Sequence, residues 1–503
     1  MWSDVTLPLW LVIIAGLLAV LAFLDRLLIP SVRWALRRRA NKAIGELNTR
    51  LRLQIKPFKL TKRQVLMDRL VYDPEVLHAV DEYAREHKIP REVLMEKVKR
   101  YAGEIVPSFS AYAYFRIGTR LAKRISEMLY RVRIGFRNEE AFSKVDPDSS
   151  VIFVINHRSN MDYVLVTYVA AQSSALSYAV GEWAQVWGLR NLIRSMGAYF
   201  IRRDSRDALY RKVLSRYVHM ATASGVVQAI FPEGGLSRDG KLRPPKFGLL
   251  SYMVAAFDPK GPKDVVFVPV GVNYDRVLED RMLTSAASTE PGKKPVFGFS
   301  LFVFLKHFFR QIGLAFRGEW YRFGYTCVSF GEPFSLRQYV NERGMDFRNL
   351  PEAERFAEVE KLGSQLMDAV GKVVPALPVS LVATALLETH PTPLSQFEIK
   401  SRVSRIIETL EASKAYVHIP RSDRDYAIEV GLRMLKLRHI VNENDGIYSA
   451  NPADLHVLHY YANAIAHLLP ETTRTPLKQP AAEALLPSSA LRIAGDNGNA
   501  TLP

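Results

Sequence analysis

The sequence predicts an α/β catalytic core, a mixed sheet with flanking helices, set between helical N- and C-terminal regions and preceded by one membrane-spanning helix. Three observations carry that prediction. An uncharged run of 18 residues, Leu7 to Leu24, stands near the start. Apolar residues then recur at three- and four-residue spacing up to about Asp146, the helical period. From Ser149 to about Pro333 short runs of Val, Ile and Phe alternate with helical stretches, and past Leu336 the helical period returns.

Taken in order, residues 1–30 read as an anchor. At about 1.5 Å per residue the uncharged run spans roughly 27 Å, close to the hydrocarbon core of a bilayer. Its start, Met-Trp-Ser-Asp, lacks the basic residues of a cleaved signal peptide, and its end runs into Asp25-Arg26 and Pro30. From Arg26 to Arg63 there are 12 Lys or Arg and one acid, Glu46, so this segment holds 11 of the chain's 17 excess positive charges. Such a run after the helix places the remainder on the cytoplasmic side, where anionic headgroups attract each cation by about 1 kcal/mol. Residues 31–147 thus comprise a basic juxtamembrane segment and a helical cap, the latter carried by DPEVLHAVDEYAREH and REVLMEKVKRYAGEI with Pro74 and Pro90 near their starts. The α/β core occupies 148–335, with strands in VIFVIN, VVQAIF, VVFVPVGV and YTCVSF. The single cysteine, Cys327, excludes an internal disulfide and reads as a core residue of a reducing compartment. Between Asp280 and Phe316 an aromatic stretch with Lys306, His307 and Arg310 reads equally as a surface for lipid headgroups, an acyl channel or a core helix. Residues 336–470 form a helical C-terminal domain, and 471–503 a disordered tail. With 48% hydrophobic residues the rest of the chain is not disordered.

Four strand ends in the core stop in polar chemistry. In VIFVINHRSNMDYVLV, His157 lies just past a strand, where open α/β sheets bind ligands, and Asp162 falls near the start of the next helix. On one regular helix the two would stand about 140° apart, so they meet only through a turn, which Ser159 and Asn160 supply. Asp162 would then accept the Nδ1 proton and leave Nε2 as a base. The same spacing recurs at His418 and Asp423, but with Pro420 inside it and no buried strand before it. In GAYFIRRD, Arg202 and Arg203 suit a phosphate or carboxylate. In IFPEGGLSRDGKLRPPK, Gly235 to Lys241 nearly matches a phosphate-binding loop, yet Leu242 stands where Ser or Thr is needed and Pro244-Pro245 stops the helix. What remains is a glycine turn beside Arg238, Arg243 and Lys246, an anion site. In VFVPVGVNYD, Pro269 is expected to interrupt the strand and turn the backbone. No Gly-x-Ser-x-Gly elbow, cysteine nucleophile or metal cluster appears, so covalent or metal-assisted mechanisms lack their parts. The remaining chemistry suggests direct attack by a phosphate-bearing alcohol on an activated acyl group.

These four blocks, in this order, resemble the glycerolipid acyltransferase superfamily, and most closely the bacterial glycerol-3-phosphate 1-O-acyltransferases. His157-Arg158-Ser159 with Asp162 resembles the first motif of that family, GAYFIRR the second, FPEGG-x-SR the third and Val268-Pro269-Val270 the fourth. The resemblance extends upstream through KPFKLTKRQ and VRIGF and downstream through ALLETHPTPLSQFEI and HYYANAIAHLL. It implies an acyltransferase domain over 148–335 in which His157 deprotonates the sn-1 hydroxyl of glycerol 3-phosphate and Asp162 orients the imidazole. Acyl-CoA or acyl-carrier protein would be the donor, with no cofactor. Arg202, Arg203, Arg238 and Lys246 would hold the acceptor's phosphate, and Arg158 and Ser159 beside the base, with Ser237 and Pro269, would also bind substrate, while Glu233, Gly234 and Gly235 shape the pocket. The expected location is the bacterial inner membrane, single-pass, with the catalytic domain cytoplasmic and anionic phospholipid as a partner. One position departs from the pattern: Leu236 stands where the family usually has Arg. That leaves dihydroxyacetone phosphate or lysophosphatidate as alternative acceptors, although Arg202, where lysophosphatidate enzymes tend to have Asp, argues for the smaller acceptor. A membrane-tethered nucleic-acid binder would account for the charge but not the four blocks, so no nucleic-acid partner is expected. A silent scaffold would have little need for both His157 and Asp162.

Overall fold

The structure, a computed structural model, describes residues 45–46, 48–49, 51–171, 174–181, 189–202, 205–287 and 322–470. The expected anchor, most of the basic segment, Arg203, nearly all of the aromatic stretch before Phe316 and the tail lie outside these. Among the described residues no helix is long and apolar enough to cross a membrane.

The strands that the Val-rich runs foretell form one mixed sheet. In chain order they are β1 Arg131–Arg137, β2 Ser150–Ile155, β3 Ser177–Gly181, β4 Tyr199–Ile201, β5 Gln228–Ile230, β6 Val265–Tyr274, β7 Tyr325–Phe330 and β8 Phe334–Ser335. Their spatial order is β1-β7-β6-β2-β5-β3-β4, with β8 also paired to β6. Strands β6, β2, β5, β3 and β4 run parallel, so their carboxyl ends share one edge, while β7 and β8 run antiparallel to β6. The sheet begins earlier than the change of period indicates. Arg131–Arg137 lies within the expected helical cap yet pairs in parallel with β7 as an edge strand, a role its three arginines suit.

Pro269 does not interrupt its strand: β6 runs unbroken for 10 residues. Proline lacks the N–H that a central strand requires, and here that donor falls where the antiparallel neighbour changes from β8, at Val266 and Phe267, to β7, at Val270 onward. The Pro269 carbonyl still accepts from Gly331 N at 2.8 Å.

Alternation along β2 divides the core between the two faces of the sheet. Ile152 and Val154 pack with the cap helices Pro74–His87 and Arg91–Ile105 and with Ala208–Ala223 and Glu352–Lys372. Val151, Phe153 and Ile155 pack toward Met161–Ala170 and the C-terminal helices Pro378–Leu387, Arg424–Leu437 and Leu455–Asn463. Local signals set the helix starts: Asp73 and Asp207 accept from Glu75 N and Tyr210 N, and Ser395 with Glu398 forms a capping box.

The C-terminal region is not purely helical. Strands β9 Leu394–Ser395, β10 Val441–Asn444 and β11 Ile447–Ala450 form a small antiparallel sheet. Its hairpin turns on Asp445-Gly446, both at positive φ, the pairing that a two-residue hairpin loop favours.

Candidate active site

Strand β2 ends at Ile155, and Asn156 extends its pairing through a side chain: the amide donates to Val272 O at 2.9 Å and accepts from Val272 N at 2.7 Å. The ladder therefore closes one residue before His157. The next helix, Met161–Ala170, begins after a turn in which Asp162 N donates to Ser159 O. That turn folds Asp162 back, and His157 Nδ1 meets Asp162 Oδ2 at 2.9 Å with both side chains at most 2% exposed. A carboxylate only accepts, so Nδ1 carries the proton and Nε2 is the lone-pair nitrogen offered to a substrate. Phe231 and Tyr163 flank the imidazole, at ring centroid distances of 4.5 and 5.4 Å.

Asp162 is held from all sides. Its Oδ2 also accepts from Arg158 N at 2.7 Å and Ser159 N at 3.0 Å, and its Oδ1 from the Tyr274 hydroxyl at 2.6 Å. Tyr274 ends β6 and reaches the same face as Val268, Val270 and Val272 by alternation. Nothing in the motif reading identified Tyr274, although counting in twos from Val268 places it there. Glu279 was missed likewise. It accepts from Ser159 Oγ at 2.8 Å and from Asn160 N and Nδ2, and burial together with the nearby Asp162 raises its pKa against those hydrogen bonds.

The third block closes on the first. Glu233 Oε1 accepts from His157 N at 2.8 Å and its Oε2 from Arg243 N at 3.0 Å, while Ser237 N donates to His157 O. Burial raises the Glu233 pKa. Gly234, at φ +66, lies under the Lys246 stem, where a Cβ would come within 2.6 Å of Cδ. Gly235 is buried in the same turn, and the Ser237 hydroxyl donates to Lys241 O at 2.7 Å. Arg238 and Lys246 are exposed at its rim. Gly240, the second glycine of the near match to a phosphate-binding loop, has a different task. At φ +84 it abuts the Tyr460 carbonyl, leaving no space for a Cβ.

Arg158, expected beside the base, has its guanidinium elsewhere. The side chain is buried and donates to Gly240 O and, at 3.1 Å, to Ala464 O. It binds the first block to the third and to the C-terminal region. Ser159 is similarly internal, its hydroxyl accepting from Met161 N as it donates to Glu279. Pro269 pairs with Val154 inside the sheet.

Arg202 follows β4, three strands from β2, or roughly 14 Å across the sheet at about 4.8 Å per strand. It therefore does not touch His157. Its guanidinium makes a two-pronged contact with Glu104 of the cap, at 3.0 and 2.7 Å, beside the mutually packed rings of Tyr101 and Tyr210. That carboxylate raises its pKa further above the usual guanidinium range.

The second His-x4-Asp spacing does different work. Asp423 caps the Arg424–Leu437 helix, and His418 packs on Tyr325, where burial pushes its pKa down to about 4. Cys327 is buried in β7, its thiol pushed up to about 12 by desolvation. Among the described residues no three His, Cys, Asp or Glu side chains gather as a metal site.

Two family models match the chain: the acyltransferase domain over residues 133–273 and the glycerol-3-phosphate acyltransferase C-terminal region over 312–471. Similar curated proteins include the glycerol-3-phosphate acyltransferases of Pseudoalteromonas atlantica, 26% identical over 81% of this chain, and Aeromonas hydrophila, 27% identical over 82%. That of Pseudomonas entomophila is 27% identical over 81%. The chain spans about half the length of these relatives, 50%, 50% and 49% respectively. A crystal structure of the 1-acyl-sn-glycerophosphate acyltransferase from Thermotoga maritima aligns with 61% of this chain and 97% of that one, at 15% identity and a TM-score of 0.28, too loose a likeness to carry an argument.

Proposed function

We propose that this chain, a member of the bacterial glycerol-3-phosphate acyltransferase family, transfers a fatty acyl group from a thioester to the sn-1 hydroxyl of glycerol 3-phosphate, forming lysophosphatidic acid. The observation that carries the reading is the imidazole of His157, fixed by Asp162 at 2.9 Å at the carboxyl end of a central strand. Nε2 takes the hydroxyl proton as the oxygen attacks the thioester carbonyl carbon. The tetrahedral intermediate collapses with loss of the thiolate, which recovers the proton from His157. The hydroxyls of Ser159 and Ser237 are engaged internally and Cys327 is buried in the sheet, which supports direct transfer over an acyl-enzyme.

In this reading Arg202, Arg203, Arg238 and Lys246 gather the acceptor's phosphate, with Arg202 exchanging part of its hold on Glu104 for the ligand. Glu233, Gly234, Gly235 and Ser237 form the wall behind it. Arg158 serves as a strut. The donor is acyl-CoA or acyl-carrier protein, and residues 1–30 anchor the chain in the inner membrane with the catalytic domain cytoplasmic.

Leu236 keeps a second reading open, because an apolar side chain at the pocket suits dihydroxyacetone phosphate as well. An acceptor screen decides. Purified membranes are given labelled palmitoyl-CoA or acyl-carrier protein and, in parallel, glycerol 3-phosphate, dihydroxyacetone phosphate or lysophosphatidate. Glycerol 3-phosphate is expected to be acylated fastest. Faster acylation of either competitor would move the assignment to it.

A further inference from the structure

The helix that leads into β1 has one face packed and one face bare. From Ala111 to Leu129 the chain is continuously helical, and the six residues Ala113–Gly118 within it are a π-helix. Ala111, Tyr114, Gly118, Ala122, Ser126 and Leu129 are buried. The Tyr114 hydroxyl accepts from Leu176 N at 3.0 Å, and Gly118 lies so close to Met196 that a Cβ would come within 2.8 Å of its methyl. The inner face is therefore fixed in place.

The outer face carries Tyr112, Ile117 and Leu121, exposed by 69%, 46% and 44%. In a regular α-helix residues five apart diverge. The i→i+5 bonding of the π segment brings Tyr112 and Ile117 onto one side, and the following four-residue step adds Leu121. A packing defect thus assembles an apolar stripe that a regular helix would disperse. Beside it stand Arg116, Arg120, Lys123 and Arg124, all exposed, and no acid occurs between Glu104 and Glu127.

From this face we infer that the helix docks on the surface of an anionic phospholipid bilayer, with Tyr112, Ile117 and Leu121 entering the headgroup boundary and the four cations meeting lipid phosphates. Isolated exposed apolar side chains need no explanation, but a rigid stripe of three with four exposed cations alongside, of which Lys123 faces an acid, Glu127 at 3.8 Å, is the pattern of an interfacial helix. Charge complementarity selects the anionic lipid. The same helix packs on Met161–Ala170, which carries Asp162, and the Tyr168 hydroxyl donates to Glu127 at 2.9 Å. Docking would thus set the bilayer about one helix diameter from the site, where an amphiphilic acylated product would leave. The inference takes its purpose from the acyltransferase reading, but its geometry and its test do not depend on activity.

Cys327 is the only cysteine and is buried, so a single exposed label can be placed in the full-length chain. Ile117→Cys carries an environment-sensitive dye, and Phe397→Cys, at a position 80% exposed on a C-terminal helix, is the control. Both are reconstituted in phosphatidylcholine vesicles with or without phosphatidylglycerol, with a spin-labelled lipid as quencher. The expected result is a blue shift and quenching at 117 that require phosphatidylglycerol, with neither at 397. Adding Arg116→Glu, Arg120→Glu and Arg124→Glu should abolish the response at 117. Three outcomes would overturn the proposal: equal quenching at both positions, a response that survives the charge reversals, or a dye that responds to an acidic carrier protein and not to lipid. Acyl transfer measured on the same samples separates failure of this surface from failure of the enzymatic reading.

Discussion

Three of the four hydrogen bonds to Asp162 converge on Oδ2, from His157 Nδ1, Arg158 N and Ser159 N, and the fourth comes from Tyr274 to Oδ1. This carboxylate orients the imidazole because it cannot itself turn. Tyr274→Phe removes only the Oδ1 contact. A hydrogen bond to a charged group is worth about 1.5–3 kcal/mol, so kcat is expected to fall roughly 10- to 150-fold with little change in either KM. Steady-state kinetics check this, and circular dichroism should remain that of the wild type. Arg202 poses the opposite case, since a carboxylate already occupies its fork. Glu104→Gln is expected to lower the acceptor KM by up to about fivefold, the limit for a partly exposed ion pair. An unchanged KM together with a lower melting temperature would make Arg202 a strut between cap and sheet. His157, Asp162 and the turn between them were legible because strand, turn and helix each announce themselves locally. Tyr274, Glu279 and Glu104 were not, since each reaches the site from an element distant in sequence.

At the scale of elements, the third block is a joint between the sheet edge and the C-terminal region. Gly240 at φ +84 admits the backbone of Tyr460, and the Arg158 guanidinium bridges Gly240 O and Ala464 O. Gly240→Ala places a Cβ in the left-handed region against that carbonyl, at a cost of about 2–4 kcal/mol, measurable by denaturant unfolding. The near match to a phosphate-binding loop failed for a reason visible in sequence, the prolines after Leu242, but the glycine's real neighbour lies more than 200 residues away. Strand β1 and the small C-terminal sheet stayed hidden because short, polar or arginine-rich strands carry little apolar alternation. The second His-x4-Asp spacing yields a pH prediction. His418 has its pKa depressed to about 4, so between that value and the ordinary 6.5 the unfolded chain binds a proton that the folded chain does not. Its contribution is present above about pH 6.5 and is lost as pH falls toward 4. Replacing it by Phe should reduce the loss of unfolding free energy over that window by about 1–3 kcal/mol, seen as a smaller fall in melting temperature, while turnover at neutral pH is unaffected.

Across the whole molecule, the parallel strands bring the ends of β2, β4 and β5 to one edge, and the two faces of the sheet are covered by different parts of the chain. The N-terminal cap lies on one face and supplies Glu104 to Arg202. The helices Pro378–Leu387, Arg424–Leu437 and Leu455–Asn463 lie on the other, and there Arg438, Asp280 and Tyr461 form a buried cluster directly after Glu279. Neither region is peripheral to the site. The order of elements made the central α/β layer legible, because a change of hydrophobic period is a one-dimensional signal. How the flanking regions close on it was not, because that depends on contacts such as Arg158 to Ala464 that span the chain. The central claim is that His157 is the base for acyl transfer to a phosphorylated alcohol. It is tested most directly by labelled acyl transfer to glycerol 3-phosphate in membranes containing equal amounts of wild-type and His157→Ala protein. A positioned base contributes about 10²–10⁴ in rate, so the variant is expected to lose at least 99% of turnover while remaining membrane-bound and folded. A variant that keeps a tenth or more of wild-type turnover would contradict the account.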